Sequence, residues 1–300
     1  MKILLFGKNG QVGWELQRSL APLGELVALG THSQGLCGDF TNLEGIAQTV
    51  RAVAPDIIVN AAAYTAVDKA ESEPELARTI NALAPGVLAK EAKRSGAWLI
   101  HYSTDYVFDG SGDTPWLETD PTGPLSVYGN SKLEGEEAIR ATGCRHLIFR
   151  TSWVYAARGG NFAKTMLRLA QERDCLSVIN DQIGAPTGAD LLADVTAHAI
   201  RAALQRPDVS GLYHLVAGGE TSWHGYASFI IDFARQFGIE IKVAPEAIQP
   251  VPTSAFPTAA RRPLNSHLNA RKLQNTFGLN LPHWQTGVAR MLTEFLEKQL

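Results

Sequence analysis

Three side chains near the middle of this chain could together move a proton to or from a carbonyl oxygen. Tyr128 and Lys132 stand four residues apart, and Thr104 precedes them. On a helix, residues i and i+4 share a face, which would place the lysine ammonium beside the phenol. A tyrosine loses its proton at about pH 10, and a neighbouring cation lowers that pKa toward neutrality. The three residues therefore predict acid–base chemistry, with Tyr128 as proton shuttle and Thr104 polarising the carbonyl.

The same spacing also occurs in ordinary surface pairs that do no chemistry. Here Tyr-x-x-x-Lys occurs once, and it opens a predicted helix downstream of the strand that carries Thr104. In open α/β sheets, ligands bind at the carboxyl ends of strands, which is where Thr104 is expected. We therefore favour a catalytic role for Thr104, Tyr128 and Lys132 over a surface pair.

A glycine-rich turn near the N-terminus could bind the pyrophosphate of a dinucleotide. It lies between an apolar run at 2–6 and a predicted helix at 11–20. Glycines allow a tight turn, close approach of the backbone to the phosphates and close packing of the helix, whose N-terminus favours anions. The spacing is G-x-x-G-x-x-G rather than the G-x-G-x-x-G of many dehydrogenases. The predicted cofactor ligands of this turn are Gly7, Gly10 and Gly13.

The predicted second strand, at 25–29, does not end in the acidic residue that usually binds the ribose 2′-hydroxyl of NAD. It is followed by Gly30, Thr31, His32 and Ser33, and no arginine for a 2′-phosphate stands there either. These small hydrogen-bonding residues favour NADPH weakly, with NADH also accepted.

Strands and helices alternate along the first half of the chain. Predicted strands lie at 2–6, 25–29, 56–63, 98–107 and 146–154, and predicted helices at 11–20, 43–53, 70–95 and 128–141. After about residue 155 the pattern loosens, with helices at 161–173 and 190–204, a strand at 212–216 and an irregular stretch at 245–263. Such alternation predicts an α/β fold with a Rossmann-type doubly wound parallel sheet. We expect an NAD(P)-binding domain over 1–155 and a smaller C-terminal substrate-binding domain over 156–300, with some late elements returning to the first.

Composition argues against several other classes of protein. A net charge of −3 disfavours a nucleic-acid partner, and 45% hydrophobic with 19% charged residues is ordinary for a soluble enzyme. The three widely spaced cysteines predict neither a disulfide framework nor a metal knuckle and suit a reducing cytoplasm. No apolar stretch approaches the ~18–20 residues of a membrane span.

Longer and more specific patterns than the glycine turn are spread along the chain. They are NAAAYTAVDKAE at 60–71, HYSTDYVF at 101–108, YGNSKLEGE at 128–136, RTSWVY at 150–155, NDQIGAPT at 180–187 and RPLNS at 262–266. In these segments the chain resembles the extended short-chain dehydrogenase/reductases. It is most similar to members that reduce a dTDP-linked 4-keto-6-deoxy hexose with NADPH or NADH, the last step of dTDP-rhamnose synthesis.

The resemblance also implies further ligands, each with a plainer alternative. Beside the three glycines of the turn, the implied cofactor ligands are Gln11, Val12, Asp39, Phe40, Ala62, Ala63, Tyr64, Thr65, Tyr102 and Lys132. The residues implied to face the sugar are Thr104, Asp105, Tyr128 and Trp153, and Asn81 matches the fourth catalytic residue of the wider superfamily. Asp39 could instead be a turn carboxylate, Trp153 a core residue and Asn81 a helix-packing amide. Because both substrates are anionic, Arg262 is a candidate ligand of the nucleotide-sugar diphosphate.

Some members of this family bind Mg²⁺ at a dimer contact through three carboxylates. The matching positions are Glu15, Asp190 and Glu294, of which Asp190 is shorter than the usual glutamate. Divalent cations favour carboxylate oxygens, but each of these residues could equally be a solvated carboxylate on a helix surface. The resemblance thus implies a homodimer, with Mg²⁺ as a weaker expectation.

Two other functions would use the same fold. A nucleotide-sugar epimerase or dehydratase would keep and recycle its NAD⁺, but dehydratases usually place an Asp-Glu pair after the strand threonine. Here Thr104 is followed by Asp105 and Tyr106. A non-catalytic regulatory subunit could also bind the dinucleotide, although an intact Thr/Tyr/Lys set disfavours that role.

Overall fold

A parallel six-stranded sheet, in the order β10-β5-β4-β3-β1-β2, organises the chain. The computed structural model describes residues 1–297. The strands are β1 (Lys2–Phe6), β2 (Glu25–Leu29), β3 (Ile57–Asn60), β4 (Trp98–Thr104), β5 (Arg145–Thr151), β6 (Val154–Tyr155), β7 (Leu176–Ile179), β8 (Ile183–Gly184), β9 (Thr187–Gly188), β10 (Gly211–His214), β11 (Thr221–Ser222) and β12 (Ile248–Val251). The six strands outside the main sheet pair two by two.

Helices cover both faces of the sheet because neighbouring strand residues point to opposite sides. The helices are α1 (Gln11–Leu20), α2 (Leu43–Val53), α3 (Val67–Ala70), α4 (Pro74–Arg78), α5 (Ala84–Ser95), α6 (Val127–Thr142), α7 (Phe162–Glu172), α8 (Ala189–Gln205), α9 (Trp223–Gln236), α10 (Arg271–Phe277) and α11 (Trp284–Leu296). Ile3 and Leu5 pack with α1 and α8, whereas Leu4 and Phe6 pack with α2 and α5. The predicted doubly wound α/β fold is therefore confirmed.

Most predicted elements are found, but several end earlier than the sequence pattern suggests. The strands predicted at 56–63, 98–107 and 146–154 stop at Asn60, Thr104 and Thr151. The continuation of β4, Asp105–Val107, is a single 3-10 turn. After β3 the apolar run continues as Ala61–Ala63 beyond the last paired residue, so composition alone overestimates that strand.

The single helix predicted at 70–95 is divided into α3, α4, a π-helical turn at Thr79–Leu83 and α5. Pro74 begins α4 and Pro85 lies in the first turn of α5. Proline lacks a backbone N–H and is tolerated only in the first turn of a helix, so each one marks a new start.

Part of the later chain belongs to the main sheet. β10 pairs with β5 at the sheet edge, and α8 packs against α1. A separate core forms where α9 and α11 pack through Tyr226, Ile230, Val288 and Leu292. The division of the chain at residue 155 stays a prediction. Among the helices of residues 1–297, none combines the length and apolar character needed to cross a bilayer.

Candidate active site

A cleft of about 430 Å³ opens at the carboxyl ends of β1, β3, β4 and β5. It brings together many of the predicted site residues, namely Gly10, Gln11, Val12, Ala63, Thr65, Tyr102, Thr104, Asp105, Tyr128, Lys132 and Trp153. It also contains residues that the sequence analysis did not single out, namely Ala61, Val67, Ser103, Tyr106, Thr151, Ser152, Val154 and Trp223. The glycine turn and the Tyr-Lys pair therefore face one common space.

The glycine turn is shaped to let a ligand approach the start of α1. Gly7 has φ +87°, and a Cβ there would lie 2.6 Å from the carbonyl carbon of Ala61. A Cβ on Gly13 would collide with the Gly7 carbonyl. Gly10 precedes α1, and within the described chain no side chain caps this helix. Its first N–H groups are thus left for an anion, which fits the pyrophosphate of a dinucleotide.

Tyr128 stands in the first turn of α6, whose start is fixed by a hydrogen bond from the Gly129 N–H to Ser126 Oγ. Burial raises the pKa of Tyr128 to about 12, while a hydrogen bond with Thr104 lowers it and the Asp105 charge raises it further. This net shift is opposite to the lowering predicted from Lys132, because the effect of burial outweighs that of the hydrogen bond with Thr104. Tyr128 is therefore a phenol at neutral pH, which is the form that donates a proton.

Lys132 lies one turn further along α6 and is almost completely buried. Its Nζ donates a hydrogen bond of 2.6 Å to the carbonyl oxygen of Tyr102. Burial lowers the pKa of Lys132 to about 8, and the nearby Glu136 carboxylate opposes that shift. The lysine is thus poised between its charged and neutral forms near physiological pH.

A buried ion pair between Arg150 and Glu136 lies one turn after Lys132 along α6. Arg150 on β5 donates to both carboxylate oxygens of Glu136 on α6, at 2.9 and 2.7 Å, and Ser103 on β4 donates to the same carboxylate at 2.5 Å. Both charged side chains are at most 2% exposed. These hydrogen bonds join α6 to the central strands β4 and β5.

Asp105 and Trp153 both line the cleft. Burial raises the pKa of Asp105 to about 6, although hydrogen bonds from Ser266 and Thr104 oppose the shift. Trp153 has φ +47°, a left-handed conformation that is costly for a residue with a side chain. Its ring stacks on Trp223 with centroids 3.6 Å apart. The stack with Trp223 fixes the Trp153 ring at the wall of the cleft, and contact of this ring with a sugar stays a prediction.

Several predicted ligands lie outside the lining of this cleft. Asp39 accepts two hydrogen bonds from Thr41 in a local turn, and Phe40 packs edge-on against Phe6 in the core. The Tyr64 hydroxyl donates to Glu73 at 2.7 Å. These contacts match the plainer alternative for Asp39, and roles of all three in adenine or cofactor binding stay predictions.

Asn81 and Arg262 have structural partners of their own. The Asn81 amide bonds the backbone of Tyr64 and the hydroxyl of Ser131, thereby joining the loop after β3 to α6. Arg262 forms an ion pair with Asp68 at 2.7 Å. Neither side chain lines the cleft, so a direct role for either one in catalysis or in diphosphate binding stays a prediction.

The three carboxylates predicted for Mg²⁺ do not form a site within one chain. Glu15 pairs with Arg18 at 3.4 Å, and Asp190 pairs with Arg290 at 2.6 Å. Across residues 1–297 no three acidic, histidine or cysteine side chains are arranged to hold a metal ion. A site that includes Glu294 would therefore need a second chain.

A second cavity of about 430 Å³ lies beyond the glycine turn, at the end of β2. Its described lining contains Lys8, Asn9, Ala28, Leu29, Gly30, His32, Ser33 and Gln34 and no carboxylate. Ser33 Oγ accepts a hydrogen bond from the Gly30 N–H at 2.9 Å. A Cβ on Gly30 would lie 2.6 Å from Asn9 Nδ2, so Asn9 occupies the space of the missing acidic side chain.

The sequence and the fold of the chain both match known proteins. The family model described as RmlD substrate binding domain matches residues 1–297. The chain is 65% identical over 294 residues to the dTDP-4-dehydrorhamnose reductase of Salmonella typhimurium, covering 98% of each protein. It is similar to the crystal structure of a dTDP-4-dehydrorhamnose reductase from Clostridium acetobutylicum, with TM-score 0.87, 35% identity and coverage of 99% of this chain and 100% of that chain. The corresponding enzyme of Bacillus anthracis, solved in complex with NADP, gives TM-score 0.86 at 35% identity, with 98% and 99% covered.

Proposed function

The chain belongs to the RmlD substrate binding domain family, and we propose that it reduces dTDP-4-dehydro-β-L-rhamnose to dTDP-L-rhamnose with NADPH or NADH. This is the last step of dTDP-rhamnose synthesis. The single observation that carries the proposal is the shared cleft, in which the open N-terminus of α1 and the protonated Tyr128 face the same space.

The chain's own residues supply binding and the proton. The N–H groups at the start of α1 bind the dinucleotide pyrophosphate, and Lys132 and Tyr102 position the nicotinamide half. The chemistry that bound NAD(P)H would supply is hydride donation to C4 of the hexose. Tyr128 donates its proton to the oxygen on that carbon, and Thr104 holds the oxygen in place. The carbonyl thus gains one hydride and one proton and becomes a secondary alcohol.

The cavity at the end of β2 supports a preference for NADPH, with NADH still accepted. Lys8 and Ser33 offer donors for a 2′-phosphate, and Gly30 stands where a carboxylate would select NAD. Because Lys8 and Ser33 are half-buried loop residues that solvent can reach, the preference should be modest.

The proposal includes a cytoplasmic homodimer. A Mg²⁺ ion shared between two chains would require the Asp190–Arg290 ion pair to open, because Asp190 is otherwise neutralised. Dimer formation in the presence and absence of EDTA, followed by analytical ultracentrifugation, tests both points. Unchanged dimers in EDTA would remove the metal from the proposal.

A coenzyme-consumption assay tests the function directly. Purified protein is mixed with dTDP-4-keto-6-deoxy-L-lyxo-hexose and either coenzyme, and NAD(P)H absorbance and dTDP-rhamnose are both measured. The proposal predicts one coenzyme oxidised per rhamnose formed. Product without net oxidation would indicate an epimerase, and no oxidation with any keto-sugar would indicate the regulatory subunit.

A further inference from the structure

Trp153 adopts a backbone conformation that few residues with a side chain accept. Its φ of +47° lies in the left-handed region, at the point where the chain leaves β5 and enters β6. Such a conformation persists only where the surrounding structure holds it. On the backbone, the Trp153 carbonyl oxygen accepts a 3.2 Å hydrogen bond from the Thr187 N–H. Because this costly conformation lies at the wall of the cleft, we infer that the direction of the indole matters for function.

Two neighbours on other elements fix the indole of Trp153. The Trp223 ring stacks on it, with centroids 3.6 Å apart and planes 13° from parallel. Gly184 of β8 also faces the indole, since a Cβ on that glycine would lie 2.8 Å from the Trp153 ring. β8 pairs with β11, which ends at Ser222 directly before Trp223. A short antiparallel ladder therefore joins the two neighbours to each other.

A chain of hydrogen bonds with a single direction fixes Trp223. An indole N–H can only donate, and Trp223 Nε1 donates to Gln182 Oε1 at 3.0 Å. This contact orients the buried amide, so Gln182 Nε2 donates to Thr253 Oγ1 at 3.1 Å. The Thr253 hydroxyl in turn donates to Asp181 Oδ1 at 2.6 Å. Donors and acceptors match at every step, and the chain ends on a carboxylate, which is a strong acceptor.

The two stacked indoles suit the sugar half of a nucleotide-sugar substrate. Trp153 and Trp223 are both half-buried and line the same cleft as Tyr128, so part of their surface faces a ligand there. The face of an indole is apolar and electron-rich, and it attracts the C–H groups of a hexose ring. A diphosphate gains nothing from such a surface. Contact with the sugar is therefore the use that fits the chemistry of this wall.

We propose that Trp223 and Gln182 are positioning residues that hold the Trp153 indole as the wall against which the hexose of the substrate packs. This inference rests on the proposed function, because it concerns the sugar of the same substrate. Gln182 fixes Trp223 through the indole N–H, and Trp223 fixes Trp153 through stacking. Binding of the nucleotide part of the substrate does not depend on these residues.

The contact with the sugar can be measured without turnover. dTDP-L-rhamnose carries the sugar and dTDP does not, so a variant that weakens only the former has lost a sugar contact. Both dissociation constants are measured by calorimetry in the presence of NADP⁺, and each variant is compared with the parent protein. If the parent protein bound neither ligand, the proposed function would fail together with this inference. The outcomes for the variants concern this inference alone.

Trp223→Leu removes the ring that stacks on Trp153. We expect it to weaken binding of dTDP-L-rhamnose about fivefold to tenfold and to leave binding of dTDP within about twofold. Trp223→Phe keeps an aromatic ring and should recover most of the loss. Unchanged affinity for dTDP-L-rhamnose in Trp223→Leu, or an equal loss for both ligands, would overturn the proposal.

Gln182→Met nearly keeps the length of the side chain and removes both of its hydrogen bonds. It should weaken binding of dTDP-L-rhamnose about threefold to tenfold. It should also diminish the far-ultraviolet exciton couplet of the stacked indoles, which Trp153→Phe identifies by abolishing it. In the Trp223→Phe background, which lacks the indole N–H, the same substitution should cause no further loss of affinity. An equal loss in both backgrounds would overturn the role of Gln182, because its effect would not pass through Trp223.

Trp153→Gly and Trp153→Ala test the left-handed backbone on which the wall depends. Both variants remove the indole, but only glycine accepts a φ of +47° without cost. The midpoint of urea unfolding should therefore be higher for Trp153→Gly than for Trp153→Ala, the reverse of the usual order. A higher midpoint for Trp153→Ala would overturn the proposal, since the fold would not be holding this residue in a costly conformation.

Discussion

At the Tyr128 end of the site, Thr104, Asp105 and Lys132 are buried and fixed by hydrogen bonds, whereas the Lys8 end, the second cavity beyond the glycine turn, is built largely from loop side chains open to solvent. Lys132 is held through Tyr102, and Glu136 is held through Arg150. Buried polar networks are costly to break, and exposed contacts are worth little each. Substitutions around Tyr128 should therefore reduce activity strongly, whereas substitutions around Lys8 should readily alter the preference for NADPH or NADH.

The largest effect is expected from Tyr128→Phe, which removes one oxygen atom from the buried end. Loss of the proton donor should reduce kcat by about 10²–10⁴-fold. The dissociation constant for NADPH, measured by fluorescence titration, should change little because the glycine turn is untouched. Near-normal turnover in this variant would show that the phenol is not the proton donor.

Arg150→Met should reveal how strongly the buried end is fixed. Removing one partner leaves Glu136 charged and unpaired, which typically costs about 3–5 kcal/mol of folding free energy. The matched control is Arg168→Ala, which breaks an exposed pair with Glu172 and should cost about 0.5 kcal/mol or less. Urea unfolding of both variants gives the comparison, and equal losses would contradict the contrast between buried and exposed contacts.

Asp105 should make the stability of the protein fall as the pH rises from about 4 to 6. Burial raises the pKa of this carboxyl from its usual 3.8 to about 6, so the folded state holds a proton that the unfolded state has released. Ionisation in the folded state then costs about 2–3 kcal/mol, and this penalty is complete above pH 6.

The neutral analogue Asp105→Asn should remove that part of the pH dependence and be more stable than the parent protein at pH 7. Urea unfolding at several pH values measures it, with the exposed Asp174→Asn as control. If the free energy of unfolding depended on pH between 4 and 6 in the same way in Asp105→Asn and in the parent protein, the pKa of Asp105 would not be raised by burial.

Gly30→Asp tests the open end and should have the smallest effect on catalysis. The new carboxylate would repel a 2′-phosphate and bind the ribose hydroxyls of NADH, while exposed Asn9 moves aside. The ratio of kcat/KM for NADPH over NADH should fall about tenfold, with kcat for NADH nearly unchanged. The control Gln236→Glu adds the same charge elsewhere and should leave the ratio unchanged. A similar fall of the ratio in this control would show that net charge, and not the position of the carboxylate, causes the effect.

Local features of the site could be predicted from sequence, because each depends on short spacing. A strand, three glycines and a helix define the pyrophosphate turn, and an i,i+4 pair defines Tyr128 and Lys132. The ends of β4 and β5 could also have indicated Ser103, Thr151 and Ser152, since strand ends form the binding edge.

Features that depend on distant packing could not be predicted. The stack of Trp153 on Trp223 joins residues from separate parts of the chain, and no motif marks Trp223. The upward shift in the pKa of Tyr128 is set by burial, which the spacing of Tyr128 and Lys132 does not report. Likewise, the packing of Phe40 against Phe6 joins distant parts of the chain, and no sequence motif indicates it.

The most direct test of the account is a titration of Tyr128 itself. Ultraviolet difference spectra of the parent protein against Tyr128→Phe, taken across the alkaline range, report the phenolate of this residue alone. We predict that no phenolate appears below about pH 10.5, because burial holds the proton for delivery to the substrate. A phenolate forming near neutral pH would contradict the account, since Tyr128 would then rest as a base and not as the acid that reduction requires.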